Sequence, residues 1–518
     1  MKNIKLYNRL KERFDAYESG FEIFVNSVGI IALFWLSVLT VYVFPLGLDK
    51  LFFAILFLIF WYSKSNYFWF AFFLIINFSP GSFFTETAGD ALRRLTIYTI
   101  FPKASFSVLD IFNILALLKA LVKGKRFRVK DILNIRYAFI LVLYAAVVTL
   151  FHGISIQVFI RLPLRGLIFY SFFYSFPALV HSKKDVYKFM YMFFPFVFNE
   201  LFSQFYLLIS NQHFLNLFYK EAFTYTIRDK LMGDTVRAVA NGYPIIILSF
   251  IFTFVLLERN INFSSKSYLY MIIVLTTTSV MISATRQTII MFAFMFVLYF
   301  LFVNKSKPGI LLQLIFLVSI FFFLLDIFSF IDLNKIFGAS FNRLTGAVYY
   351  QSGELEAEDT LDYRLSVRLP IILQNISKSI FLGFGFSDKY FEYHDGHLGG
   401  IFVGILQMGI LGYSALIFFV FYVFKKSIKI AIKFGDDNTN SKTILSLLVG
   451  MSGYVLVNIF IDPAIVFNYW ARPQEFFILL VILSQFIKFG KMEQYLKYKF
   501  RLSEHKSRKT ETLQALTT

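Results

Sequence analysis

Cysteine is absent from this chain, which removes disulfides, thiolate nucleophiles and cysteine-ligated zinc from consideration. Histidine occurs only six times, so imidazole chemistry is confined to a few positions. Acidic residues are also sparse: 32 Asp and Glu stand against 51 Lys and Arg, a net charge of +19. In a soluble protein that excess would suggest nucleic acid as a partner. Here 58% of residues are hydrophobic and the mean hydropathy is +0.65, more than one soluble core can hide. The second solvent is a lipid bilayer, whose hydrocarbon layer is ~30 Å thick and needs roughly 20 apolar residues per helix. The apolar runs are rich in the chain's 71 phenylalanines and lack the alternation of a barrel strand. The expected fold is all-α, a polytopic helical membrane bundle with lipid, not nucleic acid, around it. The first twenty residues are polar and basic, and the first apolar segment is too long for a signal h-region, so no cleaved leader is expected.

Hydropathy places spans at 24–45, 51–63, 66–79, 106–122, 134–151, 164–180, 187–209, 239–257, 267–283, 287–303, 309–330, 398–424, 443–461 and 474–489, about fourteen in all. With a cytoplasmic N-terminus, and charges at span edges assigned to the adjacent face, 31 basic residues fall inside and 18 outside; Lys119 and Arg136 remain within spans. The runs KGKRFRVK (123–130) and KKSIKIAIK (425–433) and the basic tail (490–518) are the strongest inside markers. Both termini are therefore expected in the cytoplasm, with long external segments at about 210–238 and 331–397. No internal repeat suggests the inverted halves of a transporter, and no soluble domain is evident.

The outward arginines are the first candidates for chemistry. Arg161 and Arg165 bracket RLPLR, Arg237 opens RAVANGYP, Arg286 sits in SATRQ between two spans, and Arg343, Arg364 and Arg368 lie in the long loop. Arginine at the edge of lipid either snorkels to headgroups or finds an anion, and its planar fork suits phosphate. Glu200 falls near the centre of the 187–209 span, where a charge costs ~2.5–3.5 kcal/mol on insertion scales. It is either a structural acid beside Asn199 and Gln204 or part of a polar cavity. The acidic run GELEAED (353–359) lacks calcium-loop spacing, and Leu382-Gly383-Phe384-Gly385 follows no strand and is no nucleotide fingerprint. His394, Asp395 and His397 end the long loop where a span enters. They could be solvated loop residues, or a general base whose imidazole the carboxylate orients; their spacing matches no standard zinc site.

The order of these features resembles the O-antigen ligase and polymerase family. HLGGIFVGILQMGILGY (397–413) resembles its histidine followed by an apolar helix and GxxG, here Gly409 to Gly412. YRLSVRLPIILQNISKSIFLGFGF (363–386) resembles the arginine, helix and PllGxG-like turn just upstream. TSVMISATRQTIIMFAF (278–294) resembles the SRG motif, and RAVANGYP the arginine and asparagine before the middle helix. Position 287 is Gln where Gly is common in the family, and 379 is Ser where Pro is common. The resemblance covers 237–425, flanked by membrane helices in 1–236 and 426–489 and by the tail 490–518. It implies a GT-C-like glycosyltransferase, without metal or cofactor, acting at the outer face of the bacterial inner membrane. The implied donor is an undecaprenyl-pyrophosphate-linked glycan held by Arg237, Arg286 and Arg364, with Arg161, Arg165, Glu200, Arg343 and Asp395 supporting. His397, assisted or replaced by His394, is the implied base for the glycan acceptor. That acceptor is another lipid-linked unit in a polymerase, the favoured reading, or the lipid A core in a ligase. A chain-length regulator and a flippase are the further partners implied. A lipid-linked oligosaccharide flippase is the alternative of another class, and would place its charges along a midplane path.

Overall fold

The structure, a computed structural model, describes residues 2–42, 48–78, 96–101, 104–124, 133, 136–153, 168, 170–210, 228–230, 236–238, 243–258, 265–283, 286–303, 364–393, 400–435, 438–460 and 474–517. Helices dominate it. The N-terminal part holds α1 (Lys2–Tyr42), α2 (Leu48–Tyr62), α3 (Asn66–Phe78), α4 (Val108–Lys123), α5 (Arg136–His152), α6 (Phe172–Leu179), α7 (Lys183–Tyr191) and α8 (Phe194–Ser210). Then come α9 (Tyr243–Leu257), α10 (Lys266–Ser283) and α11 (Arg286–Leu298), the last running into a π-turn at Tyr299–Val303. A second π-turn, Arg364–Arg368, leads into α12 (Leu369–Ser377); α13 (Asp388–Tyr393), α14 (Gly400–Phe434), α15 (Thr439–Phe460) and α16 (Gln474–Thr517) complete the order. Among the described residues, β structure is limited to two antiparallel hairpins, β1 (Thr96–Phe101) with β2 (Ala104–Ser107), and β3 (Arg228–Lys230) with β4 (Val236–Ala238).

The helical membrane character expected from composition is present. Gly20–Thr40, Lys183–Ser210, Lys266–Ser283 and Gly400–Phe434 are long and apolar enough to cross a bilayer, and Asn66–Phe78, Tyr137–His152, Tyr243–Leu257 and Thr288–Val303 are shorter apolar helices. The expected span 309–330 lies outside the described residues. Three helices outrun the spans that hydropathy drew: α1 takes in the polar N-terminus, α14 the lysine-rich run to Phe434, and α16 almost the whole basic tail. Hydropathy sees only the apolar part of a helix, whereas the backbone ladder continues until a breaker; Gly435, at φ 86°, supplies one after α14. The expected external loop is partly helical over 364–393, which carries the π-turn, α12 and α13.

Aromatic packing forms the core. Phe112 of α4 meets Phe60, Phe70 and Phe73 with ring centroids 4.9, 5.1 and 4.4 Å away, and Phe70 continues the contact to Phe172 and Phe176 of α6. Farther along, Phe250 stacks on Phe292 at 3.9 Å and Phe254 on Tyr299 at 4.4 Å. Helix α15 approaches these elements closely because it offers glycine there. A Cβ on Gly450 would collide with Ile251, and one on Gly453 with Met295, the small-residue rule of helix pairs in lipid.

Polar knots tie one end of the bundle. Lys119, buried inside a predicted span, donates to the carbonyls of Phe60 (2.6 Å) and Ser63 (2.8 Å) and to Asn66 Oδ1 (2.6 Å). It therefore caps α2 and its turn into α3, satisfying carbonyls that a helix end leaves open. Lys188 pairs with Glu22, which also accepts from Tyr67 at 2.7 Å. Lys183 reaches Asn440 Oδ1 (2.7 Å) and Glu493 (3.4 Å), Asn440 donates to Glu493 (2.6 Å), and Gln494 donates to the Lys433 carbonyl (3.4 Å). The start of α7, the end of α14, the start of α15 and the middle of α16 thus meet at one face.

Candidate functional site

At the other end of the Lys183–Ser210 stretch the polar residues of FPFVFNELFSQF gather. Glu200, Ser203 and Gln204 of α8 are buried, as are Thr276, Thr278, Ser279 and Ser283 of α10. Gln204 joins the two helices three times: Nε2 donates to the Ser279 carbonyl (3.1 Å) and to Ser283 Oγ (2.9 Å), and Oε1 accepts from Ser279 Oγ (2.7 Å). Ser283 is the last residue of α10, and α11 begins three residues later at Arg286. Strand β4, which carries Arg237, packs against both α8 and α10. The seam therefore gathers Glu200, the strand bearing Arg237 and the helix end that leads to Arg286. An amide with both its atoms used in a buried interface fixes register between two helices, so the end of α10 at Ser283 is held by α8.

The glycine motifs do something else. Helix α14 is broken at Gly409 (φ 63°, ψ 177°), backbone that only glycine adopts at little cost. The segment 380–386 fills the break. Phe384 N–H donates to the Leu406 carbonyl (2.9 Å) and Gly385 N–H to that of Gln407 (2.7 Å), while Ile410 N–H donates to the Ile380 carbonyl (2.9 Å) and Leu411 N–H to that of Phe381 (3.3 Å). Helix groups orphaned by the break are thereby satisfied, as backbone in lipid requires. A Cβ on Gly383, Gly385 or Gly409 would collide with backbone or with Thr149. From α5, Tyr144 OH donates to the carbonyls of Leu382 (3.2 Å) and Met408 (3.1 Å), and Thr149 Oγ1 accepts from Phe386 N–H at 2.7 Å. The LGFG segment is a backbone plug, and the break at Gly409 of α14 is its socket, while Gly412 packs against Tyr144.

Both regions lie away from the lysine knot. Helices α7 and α8 run from Lys183 in the knot to Ser210 beside the seam, and α14 runs from the plug to Lys433 in the knot. Arg364 opens the π-turn that continues into α12, whose Ile372 and Ile376 pack with Phe384, Val403 and Leu406; it belongs with α14, not with the Gln204 seam. Arg237, Arg286 and Arg364 are placed by their backbones alone. Arg161, Arg165, Arg343, His394, Asp395 and His397 lie outside the described residues, although Tyr393 and Gly400, on either side of the histidine segment, are placed. The described residues hold no group of three or more His, Asp or Glu suited to a metal ion.

Sequence reasoning passed over the serines of α10 and His152. The polar run TTTS (276–279) inside an apolar helix was a local signal for the first. For His152 there was none, since its neighbours come from more than 200 residues away. No protein-family model matches the chain, and no curated protein matches it.

Proposed function

We propose that the protein is a membrane glycosyltransferase that joins glycan repeat units carried on undecaprenyl pyrophosphate, at the outer face of a bacterial inner membrane. The observation that carries this reading is the convergence, at the end away from the lysine knot, of the Gln204 seam, the strand bearing Arg237 and the helix opening at Arg286. Two guanidinium forks and the N-terminus of α11 would meet a pyrophosphate there, the chemistry such a leaving group needs. Arg364 would clamp from the α12 side. In the reaction an acceptor hydroxyl attacks the anomeric carbon, the bond to pyrophosphate breaks with its electron pair, and His397, assisted or replaced by His394, takes the hydroxyl proton. A path of about fourteen spans in a GT-C-like arrangement, with both termini cytoplasmic, accords with the lysine-rich knot lying opposite the seam. Neither a metal ion nor a cofactor has a part in this scheme.

Lysine keeps the charge but loses the fork. Arg237→Lys, Arg286→Lys and Arg364→Lys are therefore expected to keep normal protein level yet lose most polymer. Normal long-chain glycan from all three variants would overturn the pyrophosphate clamp. One observation favours a second reading, a lipid-linked oligosaccharide transporter: Glu200 is buried within a membrane helix, as proton-coupled carriers require. Glu200→Gln separates the two. An enzyme tolerates it with a modest loss, whereas a coupled carrier loses transport.

A further inference from the structure

His152 ends α5, where Gly153 at φ 77° terminates the helix. It is half-buried, and its ring centroid lies 4.9 Å from that of Phe384 at an angle of 51°. Phe384 is itself fixed, buried in the plug with its N–H on the Leu406 carbonyl. One turn before His152, Thr149 holds the Phe386 N–H, so two successive contacts set the height of the imidazole. Phe384 also meets the half-buried ring of Tyr393, edge-on with the centroids 5.4 Å apart. Lys378, exposed and bonded to Asn375 Oδ1 at 2.9 Å, places its Nζ 4.2 Å from the centroid of the Tyr393 ring. The imidazole nitrogens of His152 bond to no other described residue.

We propose that His152, Tyr393 and Lys378 form a glycan-binding rim around Phe384, which holds the acceptor sugar. A sugar offers hydroxyls in several directions and apolar C–H faces between them. An imidazole and a phenol, which both donate and accept, and an ammonium, which donates, answer the hydroxyls; the aromatic edges answer the C–H faces. A single fixed cation is a poor clamp for pyrophosphate, and a single imidazole is a poor metal site. The rim belongs to the plug end of α14, apart from the Gln204 seam that gathers the elements bearing Arg237 and Arg286. The assignment to the acceptor rests on the glycosyltransferase reading; the binding of glycan does not.

The test replaces His152 with Phe, which keeps the ring against Phe384 and removes both nitrogens, and with Gln, which keeps hydrogen bonding. Tyr393→Phe is the second variant should His152→Phe fail to fold. Purified full-length protein in nanodiscs is titrated with oligosaccharide fragments of the source cell's own surface polysaccharide, and its transfer activity is assayed with that cell's labelled lipid-linked units. The expected result is binding weakened about tenfold by His152→Phe, the value of one lost hydrogen bond at the upper end of its range. The half-saturating acceptor concentration should rise equally and the products should be shorter, while His152→Gln stays near wild type. Unchanged fragment binding in His152→Phe and Tyr393→Phe, while Arg286→Lys loses transfer, overturns the rim and leaves the enzyme standing. Weakened binding alongside normal transfer in Arg286→Lys supports the rim and removes the donor site instead.

Discussion

The seam between α8 and α10 and the plug in α14 both sit far from the lysine knot, and both join segments distant in the sequence. They are built from opposite materials. The plug uses backbone: Ile380, Phe381, Phe384 and Gly385 exchange hydrogen bonds with the broken turn of α14, and glycine is needed because any Cβ would enter another chain segment. The seam uses side chains: one glutamine, two serines and a buried glutamate in two mostly apolar helices. Packing alone accounts for the glycines. It does not account for a carboxylate and an amide in lipid, where an apolar residue would serve a purely structural interface at lower cost. Motif glycines here specify architecture, and the costly polar residues of the seam are the ones to which the proposed function assigns chemistry.

The largest expected effect tests the chemical side. His397→Ala should lower polymer extension by a factor of ~10²–10⁴ while lipid-linked single units accumulate and protein level holds; His394→Ala should do less. Gel analysis of surface glycan and of lipid-linked intermediates separates these outcomes, and full-length glycan from the double alanine variant would reduce the pair to a loop end.

Next comes the plug. Gly409→Ala forces a side chain into a positive-φ position against the Phe381 carbonyl. Strain of this kind costs about 1–3 kcal/mol, before the plug shifts to relieve the overlap. Thermal unfolding in detergent should show a clear loss, and an unchanged midpoint would mean the break does not need glycine.

Smaller effects discriminate more finely. Gln204→Leu removes all three bonds of the seam, yet intrahelical partners remain, since Ser283 Oγ already donates to the Ser279 carbonyl at 2.9 Å. A loss of about 1 kcal/mol in unfolding free energy is expected, with a larger fractional loss of activity because the end of α10 that precedes Arg286 loses its hold on α8. Tyr144→Phe deletes one hydroxyl shared between Leu382 and Met408. It should cost about 0.5–1.5 kcal/mol and leave the activity of each surviving molecule intact.

Much of the fold was legible in the sequence, because apolar runs of phenylalanine announce membrane helices wherever they occur. Legible too were the segments around Glu200, Arg237 and Arg286, which stand out as polar residues in apolar surroundings. Local patterns did not reveal the plug. Residues 380–386 meet 406–411 through backbone groups that every sequence has, and the glycines signal a close approach without naming the partner. The junction of His152 with Phe384 was hidden for the same reason. Lys119 stood in the sequence as a charge within a span, and the carbonyls of Phe60 and Ser63 with Asn66 Oδ1 explain it.

The most direct measurement is polymer made per folded molecule, compared between Arg286→Lys at the seam and Gly409→Ala in the plug. If polar residues carry the chemistry and glycines the architecture, Arg286→Lys keeps its protein level and loses polymer per molecule by ~10²-fold, the cost of one misplaced transition-state donor. Gly409→Ala then loses protein level while each remaining molecule polymerises at the wild-type rate once acceptor is saturating. The reverse pattern, normal polymer per molecule in Arg286→Lys and a specific activity loss in Gly409→Ala, would contradict the account.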